Sequence, residues 1–257
     1  MVINGLKALL RKTSRGKLVR AKAYTCYRAT TPNGRARGAK LKGVAKRLHE
    51  LVYSDHELPI GSSSRRPSTF TGWRGIGGGL RRGRAVDAQV SRLAKASAAK
   101  RNSSKMLKLT RLCFEALAFH DLAPVGAQRV VLDESRGVAT AVDLVCQRGD
   151  DELVLVELKC GYAGDRSLPV RTPTGRVVKL KAPLKTASDC ALHRHLAQLA
   201  ATFALFVAEE GTRNAMQRKG VTTVSGALLY VDDERSELHA LPEWWKRRGV
   251  RLLDAIM

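Results

Sequence analysis

Three residues with chemically useful side chains lie close together near the middle of the chain. Asp143 precedes a polar turn, and Glu157 and Lys159 follow it at the end of an apolar run. Side chains alternate across a β-strand, so Glu157 and Lys159 are expected on the same face. If the turn is centred on Asp150, Asp143 lies directly opposite Glu157, with Cβ atoms about 4.5–5.5 Å apart. The spacing therefore predicts two carboxylates and one ammonium group in a small patch at a strand end.

This patch has the composition of a metal-dependent hydrolytic site. Two facing carboxylates repel each other, and a hard divalent cation relieves the repulsion because carboxylate oxygens are its preferred ligands. Mg²⁺ keeps several waters, one of which can attack a phosphodiester. Lys159 could orient or help deprotonate that water, and the Leu158 carbonyl could be a further ligand. The simpler alternative is that Glu157 and Lys159 are the solvated end of a core strand and that Asp143 pairs with Lys159.

Hydrophobic periodicity predicts the elements that would position these side chains. The predicted elements are helices over 84–101 and 104–119, strands over 127–132, 138–146 and 153–159, a basic hairpin over 168–181, a long helix from Ser188 to about Glu210, a strand over 226–231 and a helix over 243–255. His195, Gln198 and Thr202 fall on one border of the apolar stripe of the long helix. We therefore expect these three side chains at the boundary between the core and the solvent.

Positive charge is concentrated in the N-terminal part of the chain. Residues 1–101 contain 24 Lys and Arg but only four acidic residues, whereas the whole chain contains 46 and 23. A dense cationic segment binds polyphosphates by releasing condensed counterions, which gives salt-sensitive binding without sequence preference. A solvated arm or a contact with an anionic membrane would have the same composition. We predict nucleic acid, and specifically DNA, as the partner.

The first third of the chain has the composition of an arm and a linker. Residues 1–48 lack sustained periodicity, and residues 59–83 are rich in Gly, Ser, Pro and Arg. We predict a basic, largely disordered arm and linker over 1–75 and a folded domain over 76–257. The Arg-rich, acid-free start resembles a mitochondrial presequence and equally a nuclear-targeting arm. An intracellular protein is expected in either case.

Composition argues against several other classes. No apolar run approaches the roughly 20 residues that a membrane-spanning helix needs, so no membrane partner is expected. The five cysteines are widely spaced and form no C-x-x-C pair. This spacing does not favour a disulfide framework, a zinc ribbon or an iron–sulfur cluster, and reduced thiols are expected.

The pattern D-x13-E-L-K, which runs from Asp143 to Lys159 and precedes a helix carrying Gln198, resembles the PD-(D/E)xK nuclease superfamily. The closer likeness is to its RecB-type and phage-lambda-type exonuclease branch, and it covers roughly residues 83–232. The resemblance implies an α/β, restriction-endonuclease-like fold in which helices flank a mixed β-sheet core of order α-β-β-β-α-β. It also implies that Asp143 and Glu157 bind Mg²⁺ or Mn²⁺, and that Lys159 and Gln198 complete the catalytic set.

The chain departs from the family pattern at three places. An alanine–valine pair stands where a proline often precedes the aspartate that Asp143 represents. The family's Q-x-x-x-Y motif corresponds to Gln198 and Thr202, without the tyrosine. Asp87 replaces the usual histidine of an upstream motif, and Glu115 is its rival as the acid that completes the metal site.

The resemblance implies a metal-dependent DNA nuclease. An exonuclease acting in recombination, repair or replication, including that of a viral or mobile genome, is the first expectation, and a structure-specific endonuclease is the second. Cations at the entrance of the domain and in the basic hairpin, together with one histidine, are expected to contact the DNA backbone: Arg81, Arg82, Arg84, Lys179, Lys181, Lys185 and His195. A non-catalytic DNA-binding protein with this fold and a packaging protein that uses the arm alone remain open, as does the oligomeric state.

Overall fold

The structure is a computed structural model, and it describes residues 16–20, 25–30, 36–56, 58, 78–97, 101, 105–161 and 165–257. The fold is α/β, with a mixed β-sheet flanked by helices. Within these residues, no helix combines the length and the apolar character needed to cross a membrane.

The described residues form eight strands and six helices. The strands are β1 (Gly16–Arg20), β2 (Thr25–Thr30), β3 (Ala36–Gly43), β4 (Ala123–Asp133), β5 (Val138–Arg148), β6 (Glu152–Cys160), β7 (Thr223–Val231) and β8 (Ser236–Ala240). The helices are α1 (Val44–Leu51), α2 (Gly78–Ala94), α3 (Lys108–Phe119), α4 (Ala191–Ala208), α5 (Glu210–Gln217) and α6 (Glu243–Ala255). The predicted order of one helix, three strands, a helix and a strand is found from α3 to β7, with α5 as an additional short helix.

Strand β5 is at the centre of the sheet, whose order is β1-β2-β3-β5-β6-β7-β8 with β4 paired to β5. One edge of β5 pairs with β4 along almost its whole length. The other edge is shared, because β3 runs parallel to the start of β5 as far as Ala139 and β6 runs antiparallel to its end from Leu144 onward. In the described part of the chain, residues 140–143 therefore have no paired strand on this edge.

The predicted β5–β6 hairpin is confirmed, with its turn centred on Asp150. Leu144 pairs with Val156, and the ladder continues in this register to the turn. Gly149 in the turn has φ of 57°, a left-handed conformation that glycine adopts without a steric penalty. The next opposed positions beyond Leu144 and Val156 are those of Asp143 and Glu157, where the ladder ends.

Strand β6 separates two hydrophobic cores. Leu153 and Leu155 pack in the core that includes residues of α1, α4 and α6, whereas Val154 and Val156 pack in the core that includes residues of α2 and α3. A strand buried on both faces is apolar at nearly every position, as the sequence of β6 is. Glu157 and Lys159 continue the row of Leu153 and Leu155, so the sheet presents them toward α4.

The helix bounds differ from the predicted ones at several ends. The first predicted helix begins earlier, at Gly78, and ends at Ala94, while the second begins at Lys108. The long helix ends at Ala208, and the helix Glu243–Ala255 is confirmed. The basic hairpin is a turn with one bridge between Arg171 and Val177 rather than a pair of strands.

The prediction of a low-order segment over residues 1–75 is wrong for residues 16–20, 25–30 and 36–51, which form β1, β2, β3 and α1. Val44 and Leu48 of α1 have no exposed surface and belong to the same core as Leu153. The sequence signal was weak because β3 has no β-branched or aromatic residue and α1 is only eight residues long. Residues 1–15 and 59–77, which include most of the linker-like stretch 59–83 and the predicted boundary at 75, lie outside the described residues, whereas residues 78–83 form the start of α2.

Replacing Gly249 by alanine should destabilise the fold. A Cβ at Gly249 of α6 would overlap the carbonyl oxygen of Ala200 in α4 and would lie 3.0 Å from the Cβ of Ala204. Overpacking of this kind costs about 1–3 kcal/mol. The measurement is urea unfolding, with Gly83→Ala in α2 as the control. A Cβ at Gly83 meets nothing within 4 Å, so the control should be neutral or stabilising by about 0.5–1 kcal/mol. Equal stability of both variants would contradict the close crossing of α4 and α6.

Candidate functional site

Glu157, Lys159 and Gln198 form one hydrogen-bonded group. The Nζ of Lys159 donates to Oε1 of Glu157 at 2.8 Å and to Oε1 of Gln198 at 3.1 Å. The Nε2 of Gln198 donates to the same Glu157 oxygen at 2.5 Å. Glu157 is only 4% exposed. Strand β6 and helix α4 thus bring together three of the four side chains predicted to be catalytic.

Asp143, the fourth predicted catalytic residue, reaches across from the end of the β5–β6 ladder. Its Oδ2 accepts the backbone N–H of Leu158 at 3.0 Å, and its Oδ1 accepts from Nε2 of Gln128 at 3.2 Å. The alternation of side chains breaks here, because Val142 and Leu144 pack in opposite cores although residues two apart normally share a face. The break directs the Asp143 carboxylate toward β6 rather than into either core.

Gln128 connects Asp143 to a further acid. Its Nε2 also donates to Oδ1 of Asp87 in α2 at 2.9 Å. Glu115, the alternative candidate for the acid that completes the metal site, is exposed on α3. Its Oε1 lies 3.7 Å from Nε of Arg111. Asp87 rather than Glu115 is therefore the upstream acid joined to Asp143. We call Asp87, Asp143 and Glu157 the acid cluster.

Sequence analysis missed Gln128. It lies within β4, opposite Asp143 in the register of β4 and β5, and its φ is 51°. A glutamine in a strand carries no functional signal by itself. Its role depends on this backbone conformation and on contacts with residues distant in sequence, neither of which periodicity reports.

The acid cluster is electrostatically unfavourable in the described structure. Burial and the negative charges of Glu157 and Asp87 hold the pKa of Asp143 well above its ordinary value, although Lys159 and the N–H of Leu158 act in the opposite direction. Nearby carboxylates raise each other's pKa because ionising one next to another costs energy. A hard divalent cation with oxygen ligands would offset that cost.

The metal-ligand set is not assembled in full. In the part of the chain that the structure describes, no group of three or more His, Cys, Asp or Glu side chains is placed to hold a metal ion. Gln128 links Asp87 to Asp143, and Lys159 and Gln198 bind Glu157. The donors are nonetheless all oxygen atoms of carboxylates, which suit Mg²⁺ or Mn²⁺.

Tyr27 of β2 lies beside Thr140 and Ala141 of β5, where the charges of Asp143 and Glu157 act on it. Burial, together with the charges of Asp143 and Glu157, raises the pKa of Tyr27 to about 12, although hydrogen bonds to the backbone of Ala141 and the side chain of Thr140 act in the opposite direction. Tyr27 thus lies next to the stretch of β5 that has no paired strand on one edge. Sequence analysis missed this residue because it lies in the segment predicted to be a low-order arm.

The expectation that His195 and Thr202 lie at the boundary between the core and the solvent is wrong. They are 8% and 0% exposed. The Nδ1 of His195 lies 2.8 Å from the hydroxyl oxygen of Tyr230 in β7, which provides the buried ring with a hydrogen-bond partner. Burial holds the pKa of His195 well below its ordinary value, and the positive charges of Lys159, Arg166 and Arg194 lower it further. A neutral, buried imidazole is poorly suited to contact a phosphate.

The predicted DNA-contacting cations differ in their surroundings. Five of the six Lys and Arg side chains are exposed: Arg81, Arg84, Lys179, Lys181 and Lys185. Arg82 is 8% exposed, and its Nη1 lies 2.8 Å from Oδ2 of Asp233. The Nζ of Lys181 lies 3.4 Å from Oδ1 of Asp55. Arg82 therefore has a structural ion pair, whereas the lysines of the loop between β6 and α4 face solvent.

A buried ion pair fixes the start of α4, the helix that carries Gln198. Asp189 has no exposed surface, and its two carboxylate oxygens accept from Nε and Nη2 of Arg194 at 2.5 and 2.9 Å. Oδ2 of Asp189 also accepts the backbone N–H of Ser54 at 2.9 Å, and the hydroxyl of Tyr53 donates to the carbonyl of Arg194 at 2.7 Å. These contacts tie α4 to the segment that follows α1.

No protein-family model and no curated protein matches the chain. The likeness to the nuclease superfamily consequently stays a resemblance of short motifs.

Proposed function

We propose that the protein is a Mg²⁺- or Mn²⁺-dependent deoxyribonuclease that hydrolyses phosphodiester bonds in DNA recombination, repair or replication. An exonuclease is our first choice and a structure-specific endonuclease our second. The observation that carries the proposal is the opposition of Asp143 and Glu157 at the end of the β5–β6 ladder, with Lys159 Nζ 2.8 Å from Glu157. We also propose that the mixed sheet and its helices have the restriction-endonuclease-like topology.

Asp143 and Glu157 would hold the cation, with the Leu158 carbonyl and Asp87 as further oxygen donors. The raised pKa of Asp143 supports this assignment, because burial and the negative charges of Glu157 and Asp87 disfavour the ionised form of Asp143. When bound, the metal lowers the pKa of a water molecule and stabilises negative charge on the phosphate.

Lys159 is the cation that this chain itself contributes to the reaction. Its side chain is 14% exposed, and two hydrogen bonds, to Glu157 and Gln198, fix its position. From there its ammonium group would donate to the attacking water or to a phosphate oxygen. Gln198 binds both other members of the group and would keep their spacing constant.

The loop between β6 and α4 would bind the DNA backbone. Residues 166–188 contain six Lys and Arg residues and no acidic residue. Lys179 and Lys185 are exposed within this loop, which begins shortly after the strand that carries Glu157. Such contacts add affinity that falls with salt but do not read sequence.

End-labelled DNA tests the proposal directly. We expect the purified chain to cleave linear, nicked or branched DNA with Mg²⁺ or Mn²⁺ and not in EDTA. Duplexes labelled at the 5′ or the 3′ end separate exonuclease ladders from internal cuts. Binding without cleavage on all three substrates, with either cation, would overturn the nuclease assignment and favour a non-catalytic DNA-binding protein.

A further inference from the structure

Gln128 has a backbone conformation that its residue type rarely adopts. Among the described residues, only Asp121 and Gln128 are non-glycine residues with positive φ, at 55° and 51°. Aspartate is enriched in this region because its short side chain can hydrogen-bond locally, whereas glutamine has no such advantage. Unfavourable conformations of this kind persist where the surrounding structure requires them, often at functional sites.

The conformation of Gln128 directs its side chain at two carboxylates. In β4, Ala127 packs in the core that includes α2 and α3 residues, whereas Val131 packs in the opposite core although the two are four residues apart. Gln128 lies between them, where the alternation of the strand is interrupted. Its single Nε2 atom donates one hydrogen bond to Asp87 and one to Asp143, at 2.9 and 3.2 Å.

An amide suits this position better than a cation would. The Nε2 group carries two hydrogen atoms and no charge, so it can orient both carboxylates without neutralising them. A lysine or arginine at the same place would pair with the acids and compete with a divalent ion. The amide thus holds one oxygen of each aspartate at a shared donor without placing a positive charge between them.

We propose that Gln128 is a positioning residue that holds Asp87 and Asp143 in place for a shared divalent cation and thereby sets the affinity of the site for metal. The inference rests on the proposed function and deepens it, because it assigns Asp87 as the acid that completes the metal site. Residues that hydrogen-bond to metal ligands typically change metal affinity 10- to 100-fold when they are removed.

Substitution by glycine separates this role from a purely structural one. Glycine adopts positive φ freely, so Gln128→Gly relieves the backbone penalty while removing the amide. In metal-free buffer the variant should unfold at a temperature equal to or above that of the wild type. Its dissociation constant for Mn²⁺, measured by electron paramagnetic resonance without DNA, should rise about 10- to 100-fold.

Asp121→Gly is the matched control. It makes the same backbone change at the other non-glycine residue with positive φ, which is exposed at the end of α3. We expect its Mn²⁺ affinity to equal that of the wild type. Wild-type affinity in Gln128→Gly would overturn the inference and leave the nuclease proposal standing, whereas a wild type that binds no Mn²⁺ would overturn both.

A second variant covers the possibility that Gln128→Gly unfolds. Asparagine also tolerates positive φ, and its amide is one methylene shorter, too short to reach both carboxylates as glutamine does. We expect a folded Gln128→Asn to bind Mn²⁺ more weakly than the wild type. Unchanged affinity in that variant would equally overturn the inference.

Discussion

Replacing Lys159 by methionine should lower the rate of Mg²⁺-dependent DNA cleavage by about 10²- to 10⁴-fold, the usual contribution of a positioned acid–base group. Methionine keeps the length of the apolar stem but removes the ammonium group that donates to Glu157 and Gln198. DNA binding should remain close to that of the wild type, because backbone affinity is proposed to come from exposed cations elsewhere. Cleavage rates under single-turnover conditions and filter binding measure the two effects separately.

Two further variants make the Lys159 result interpretable. Glu157→Gln keeps the shape of the side chain but removes its charge, and it should lose cleavage to a similar extent. Lys108→Met makes the same replacement at an exposed lysine at the start of α3 and should cleave like the wild type. Thermal unfolding of each variant confirms that the fold is intact. If folded Lys159→Met retained cleavage comparable to Lys108→Met, Lys159 would have no catalytic role.

Asp189→Ala is expected to reduce the free energy of unfolding by about 3–5 kcal/mol, as is typical when one partner of a buried ion pair is removed. The substitution leaves the Arg194 guanidinium without its carboxylate and the Ser54 N–H without its acceptor. Urea unfolding measures the loss. Helix α4 would lose the ion pair that fixes its start, and Gln198 lies two turns further along this helix. A lower cleavage rate should therefore accompany the lower stability.

Asp55→Ala is the control for this prediction. Asp55 also pairs with a cation, because its Oδ1 lies 3.4 Å from Nζ of Lys181, but its side chain is 92% exposed. Exposed pairs contribute only about 0–1 kcal/mol. Equal losses in Asp189→Ala and Asp55→Ala would show that the buried pair does not anchor α4.

The hairpin that carries the acids could be predicted from sequence because its information is local. A polar turn between two apolar runs sets the register, and the register alone places Asp143 opposite Glu157. The helical spacing of the apolar stripe in α4 placed Gln198 on one border of that stripe, and the resemblance to the nuclease superfamily implied its place in the catalytic set. These residues lie close in sequence to the patterns that position them, so periodicity and turn chemistry were sufficient.

The rest of the site depends on contacts between distant segments. Gln128 contributes through a positive φ, and Tyr27 through a six-residue strand in the segment predicted to be a low-order arm. His195 was placed at the helix border by periodicity, but the hydroxyl of Tyr230 in β7 lies in hydrogen-bond distance of its ring and allows it to be buried. Helical spacing reports which residues share a face and not what covers that face, so the tertiary partners stayed hidden.

The shared edge of β5 determines how the chain can be shortened for biochemical work. A fragment starting at residue 76 would lack Tyr27, which lies beside residues 140–143, and would lack Val44 and Leu48 of the core. Such a fragment would expose apolar surface of the core to solvent. Truncation therefore cannot separate the proposed DNA binding from the proposed cleavage, and neutralising individual exposed cations is the better experiment.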